Sequence, residues 1–87
     1  MEGKPKFTDL ILSLAQSVYV LLGVVEDPFS KEKKVDLKQA KYTIDLIEVL
    51  KEKTEGNLLQ DEQELLEEVL YDLRMKYLNA LDKSKTK

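Results

Sequence analysis

Residues 10–25 read LILSLAQSVYVLLGVV, and this segment decides the fold. Twelve of its sixteen residues are apolar and none is charged, although 36% of the whole chain is charged. At about 100° per residue along a helix, the apolar side chains cover an arc of roughly 200°, about twice that of an ordinary surface helix. Each large apolar side chain gains roughly 1.5–3 kcal/mol on burial. The segment therefore predicts a helix covered on two sides, by the rest of this chain, by a second copy or by a membrane.

Capping residues and glycines set the limits of three predicted helices. Thr8 is a good N-cap because its hydroxyl can accept a hydrogen bond from an unpaired backbone N–H, and Gly23 suits the left-handed conformation that ends helices. Asp36 followed by Gln39 is the pattern of a capping box, and Gly56 marks the next helix end. The predicted helices cover residues 8–23, 36–55 and 60–81, with tails at 1–6 and 82–87.

The turn after Gly56 is short, which predicts that helices two and three form an antiparallel hairpin. The 87 residues are enough for a single domain with a modest core. The predicted fold is therefore an all-α domain spanning residues 1–87, in which the very apolar helix one packs on the hairpin.

The first helix is too apolar, and the other two carry too many apolar faces, to be covered by one chain. Two-fold dimers are the commonest way in which soluble proteins cover such surfaces. We therefore expect a homodimer, and the candidate interface residues are Leu14, Val18 and Leu21 of helix one, Tyr42, Leu46 and Val49 of helix two, and Tyr71, Met75 and Leu78 of helix three. The stripe on helix three can also be a shallow extension of the core, and a monomer with helix one deep in the hairpin groove is the competing arrangement.

The composition argues against catalysis and against cofactors. The chain has no Cys and no His, which removes thiolate chemistry, the commonest general base and the commonest transition-metal ligand. The three glycines stand alone at positions 3, 23 and 56, so no phosphate-binding loop is present. Clustered carboxylates such as Glu64, Glu67 and Glu68 lie on polar arcs and are typical of a solvated helix face. We expect no enzyme activity, no metal and no cofactor.

Charge and length bear on partners and location. The net charge of −3 argues against nucleic acid and against an anionic membrane surface. Sixteen helical residues span about 24 Å, which is short of a hydrocarbon core of roughly 30 Å, and no signal-peptide cleavage pattern follows Val25. We expect a cytoplasmic protein for which membrane association is unlikely. Thirteen Lys against one Arg resembles the usage of thermophiles.

Arg74 is the single Arg of the chain, and its planar guanidinium can grip a carboxylate with two hydrogen bonds. In an antiparallel hairpin it lies near residue 41, and helical side chains lean toward the N-terminus of their helix. The sequence thus predicts a structural clamp between Arg74 and Asp45, or Glu48. An exposed Arg without a defined partner, or a ligand-binding role, are the alternatives.

Several segments resemble one known family. They are Leu22-Gly23, Asp27-Pro28, Ile44-Asp45, Lys53-Thr54-Glu55-Gly56-Asn57-Leu58 and Leu70-Tyr71-Asp72-Leu73-Arg74, and together they resemble the small bacterial helical family called domain of unknown function 1844. The chain departs from the family at Leu59 and Gln60, where the family usually has Thr and Pro. The resemblance implies a compact helical bacterial protein, and it implies no activity and no catalytic residues.

The function that the sequence favours is a non-enzymatic, self-associating structural or protein-interaction module. Its partner is a second copy or another protein. The alternatives are a module that binds a membrane surface through helix one and, more remotely, a binder of small ligands.

Overall fold

Three packed helices make up the fold. The computed structural model describes residues 3–85, in which helix α1 is Phe7–Leu21, α2 is Leu37–Lys53 and α3 is Gln60–Lys85. Each helix contacts both of the others, and residues 3–85 contain no strand. The prediction of an all-α, three-helix fold is confirmed. Residues 1–2 and 86–87, which belong to the predicted tails, lie outside the described range.

A single apolar cluster joins the helices. Its six largest fully buried side chains come from all three: Ile11, Val18, Ile47, Leu66, Leu70 and Leu73. On each helix the buried residues recur three or four positions apart, which is the spacing that keeps them on one face. The core therefore runs along the line where the three faces meet.

Helix α1 begins earlier than predicted. Its N-cap is Lys6, whose backbone N–H donates a 2.8 Å hydrogen bond to the Asp9 carboxylate. Thr8 lies inside the first turn, so the prediction that it caps the helix is wrong. Asp9 takes over the capping because it stands three residues after Lys6, the position from which a side chain can reach back to the N-cap N–H.

Helix α1 ends in a Schellman motif two residues before the predicted limit. Gly23 has a φ of +76°. The N–H of Val24 donates to the carbonyl of Tyr19 at 2.9 Å, and that of Gly23 donates to Val20 at 3.1 Å, which is the bond pair of this motif. A Cβ added at Gly23 would lie 2.9 Å from Val35 Cγ2. Position 23 therefore needs glycine both for its conformation and for space.

The end of α1 is hydrogen-bonded to the start of α2. Asp36 is the N-cap of α2, as predicted, and its carboxylate accepts from the N–H of Gln39 at 3.0 Å. The N–H of Asp36 itself donates to the carbonyl of Leu21 at 2.8 Å. In a capping box the N-cap N–H would bond to the side chain of Gln39; here it bonds to the last residue of α1 instead. The two ends of the connection between residues 22 and 36 therefore lie close together.

Gly56, at the predicted helix end, has a φ of +81° and follows the last residues of α2. Helix α3 then begins at Gln60, as predicted, and Leu59 N–H donates to the Glu62 carboxylate at 2.9 Å. At its other end the helix continues to Lys85, so residues 82–85 are helical and not a tail. Lys83 and Lys85 in this last turn favour the extension because cations stabilise the carbonyl end of a helix.

Candidate interaction surface

The apolar arc of α1 is wider than the part that this chain buries. Ile11, Ala15 and Val18 form the buried stripe within α1. Leu10 and Leu12, on either side of that stripe, are 45% and 51% exposed. Because the arc extends beyond the core on both flanks, α1 presents these two leucines to solvent beside the polar Ser13, Gln16 and Ser17.

Val18 does not belong to that surface. Its side chain is fully buried, with an exposure of 0%, so its proposed place in an interface is wrong. The physical reason is its position seven residues after Ile11, which brings it back to the same face of the helix. Val18 packs in the core and cannot touch a second molecule.

The flanks of α1 face different neighbours. The Tyr19 hydroxyl donates a 2.5 Å hydrogen bond to the Asp72 carboxylate, which places the Tyr19 flank against α3. Leu14 and Leu21 lie on the opposite flank and are half-buried against the core. Leu21 lines one surface depression together with Leu37 of α2, so this second flank adjoins the start of α2.

Helix α2 continues this apolar flank. Its outer face carries Tyr42, Leu46 and Val49, all exposed. Gln39, Thr43 and Leu50 separate this stripe from the core on the side of α1, and none of them is charged. The Lys41–Asp45 ion pair borders the other side of the stripe, so only the side toward α1 lacks charge. We call the apolar residues of this stripe and of the neighbouring α1 flank the α1–α2 surface, which consists of Leu10, Leu14, Leu21, Tyr42, Leu46 and Val49.

Helix α3 carries a stripe with the same spacing. Tyr71, Met75 and Leu78, here called the α3 stripe, are also exposed. Its surroundings are charged, because the Arg74 guanidinium forms an ion pair with Glu48 of α2 on one side, and Asp72 binds Lys76 at 2.8 Å on the other. The α3 stripe is therefore narrow and bordered by ions.

Asp45 is not the partner of Arg74. It pairs instead with Lys41 of its own helix at 3.2 Å. The predicted contact of Arg74 with a carboxylate of helix two is confirmed for Glu48, whereas the choice of Asp45 as its partner is wrong. At about 100° per residue, Glu48 lies roughly 60° closer to the buried face of α2 than Asp45 does. That rotation turns Glu48 toward α3 and leaves Asp45 facing solvent.

Comparison with known proteins gives one result. The family model described as "Domain of unknown function (DUF1844)" matches residues 4–79. The chain belongs to this family. No match was found among curated proteins or among solved structures.

Within this family member, Tyr19, Asp72 and Lys76 form the main polar network between α1 and α3. The hydrogen bond to Asp72, together with burial, raises the pKa of Tyr19 to about 12. Hydrogen bonds from Lys76 and from Tyr19 lower the pKa of Asp72. The Lys76 amine also lies 5.9 Å from the centre of the Tyr19 ring, within the range of cation–π attraction. The network orients the helices, and the two pKa shifts keep Tyr19 protonated and Asp72 ionised near neutral pH.

Sequence reasoning missed two features of the surface. The sequence analysis counts Leu10 only in the apolar arc and not among the interface residues. Its spacing from Leu14 and Leu21 places it on the same flank of the helix. Phe29, in the connection between α1 and α2, is 94% exposed. No periodic pattern marks a residue in a loop, and the one available signal was a large aromatic side chain between a turn-forming Pro28 and a run of lysines.

Among residues 3–85, no three carboxylate, imidazole or thiol side chains gather closely enough to hold a metal ion. None of the three helices combines the length and the apolar character that crossing a bilayer requires.

Proposed function

We propose that this protein is a self-associating, non-enzymatic structural or interaction module of the cytoplasm, and that two copies associate through the α1–α2 surface. The observation that carries the proposal is that Leu10, Tyr42, Leu46 and Val49 of this surface are exposed, and that no charged residue lies between the α2 stripe and the core on the side of α1. Interface centres are depleted in charged residues, whereas 36% of the residues in this chain are charged. The edge of the α2 stripe formed by Gln39, Thr43 and Leu50 is thus unusual in this protein, because it holds no charged residue.

The arrangement of the helices supports the same proposal. We infer that α2 and α3 run antiparallel, because Glu48, Leu58 and Glu67 border one surface depression beside the short connection between these helices. In this hairpin the outer face of α2 turns toward α1 and that of α3 turns away from it. Only the stripe on α2 can therefore join the exposed leucines of α1 into a wider surface.

Small residues make close contact with a second copy possible. Ser13 and Ser17 lie on α1 beside the α1–α2 surface, and both are exposed. Their short side chains let a neighbouring helix approach the backbone of α1. A two-fold contact of this kind should bury at least about 1,000 Å² in total, the lower limit for a specific interface.

Sedimentation equilibrium tests the proposal. We expect the wild type to approach twice the chain mass of 10.1 kDa at micromolar concentrations. Leu46→Lys should return the protein to the mass of one chain, because a lysine at the centre of the interface would be buried without a partner. Met75→Lys is the matched control, since Met75 is 43% exposed and Leu46 is 39% exposed. A wild type that keeps the mass of one chain at hundreds of micromolar would contradict the proposal.

A further inference from the structure

We draw no further inference here: the strongest candidate, the exposed Phe29 in the connection between α1 and α2 together with the cavity that Leu22, Val35 and Ala80 line at the end of the three helices, carries no proposal, because nothing in the structure shows what covers the ring or fills the cavity.

Discussion

Helices α2 and α3 carry the same apolar pattern on their outer faces, and the pattern has different surroundings on each. Tyr42, Leu46 and Val49 have the spacing of Tyr71, Met75 and Leu78, and all six side chains are exposed. Ion pairs border the α3 stripe on both sides. The α2 stripe has an ion pair, Lys41–Asp45, on one side only, and uncharged residues on the side of α1. Helical spacing alone identifies a second apolar face on each of the two helices. The residues of the neighbouring helix decide what borders that face.

The largest expected effect is the difference in stability between a core substitution and a surface substitution, each of a valine. Val18→Ala should lower the free energy of unfolding by about 2 kcal/mol, because it removes buried methyl groups and leaves a cavity. Val49→Ala, on the α1–α2 surface, should lower it by less than about 0.5 kcal/mol. Urea melts at concentrations where the protein is monomeric measure both values. Equal losses would place the two valines in similar surroundings and contradict the assignment.

The role of α1 in the α1–α2 surface can be tested with two leucines of the same helix. Leu10→Lys should raise the dissociation constant of the dimer at least about tenfold, because it places a charge on the apolar surface. Leu12→Lys introduces the same change on the opposite flank, at similar exposure, and should have little effect. Sedimentation equilibrium gives both constants. Equal increases of the dissociation constant for the two variants would contradict the claim that only the Leu10 flank of α1 takes part in the interface.

The charged border of the α3 stripe should contribute to stability and not to association. Arg74→Lys should lower the free energy of unfolding by about 0.5–1 kcal/mol, because lysine lacks the planar guanidinium that reaches Glu48 and the pair is only partly buried. Lys41→Arg on α2 is the control and should change it less. A shift in the dissociation constant with Arg74→Lys would show instead that the border takes part in the interface.

The smallest expected effect is the pH dependence of the stability that Tyr19 and Asp72 contribute, on the side of the α3 stripe that faces α1. The pKa of Tyr19 is raised from 10.0 to about 12, so its contribution to stability is complete below pH 10 and is lost as the pH rises through 12. The pKa of Asp72 is lowered, so its contribution is complete above the ordinary pKa of 3.8 and is lost as the pH falls through the lower value of the folded state.

The difference in unfolding free energy between the wild type and Tyr19→Phe, followed from neutral to alkaline pH, isolates the Tyr19 contribution. We expect this difference to shrink between about pH 10 and 12. Tyr71→Phe is the control, because the Tyr71 side chain is exposed on the α3 stripe. A constant difference for Tyr19→Phe would mean that the hydrogen bond to Asp72 does not stabilise the fold.

Local features of this chain were predictable because the atoms that decide them are close in sequence. The carboxylate of Asp36 caps α2 through an N–H three residues away, and the conformation of Gly56 needs no distant partner. Helix α3 extends beyond its predicted end because its last turn has lysines that suit the carbonyl terminus but few apolar residues to mark it. The start of α1 was predicted wrongly for a related reason. Thr8 and Asp9 are adjacent in sequence and each has a side chain that can cap a helix, so the sequence does not show which of them does so.

The sequence by itself determined that three helices form, which residues share a face on each of them, and that apolar faces exceed what one core can hold. Only the tertiary structure decided that Val18 is core and that Glu48, not Asp45, is the partner of Arg74. The physical reason is that helix periodicity orders side chains around one axis, whereas contacts depend on how that axis is rotated toward its neighbours, and many residues distant in sequence set that rotation together.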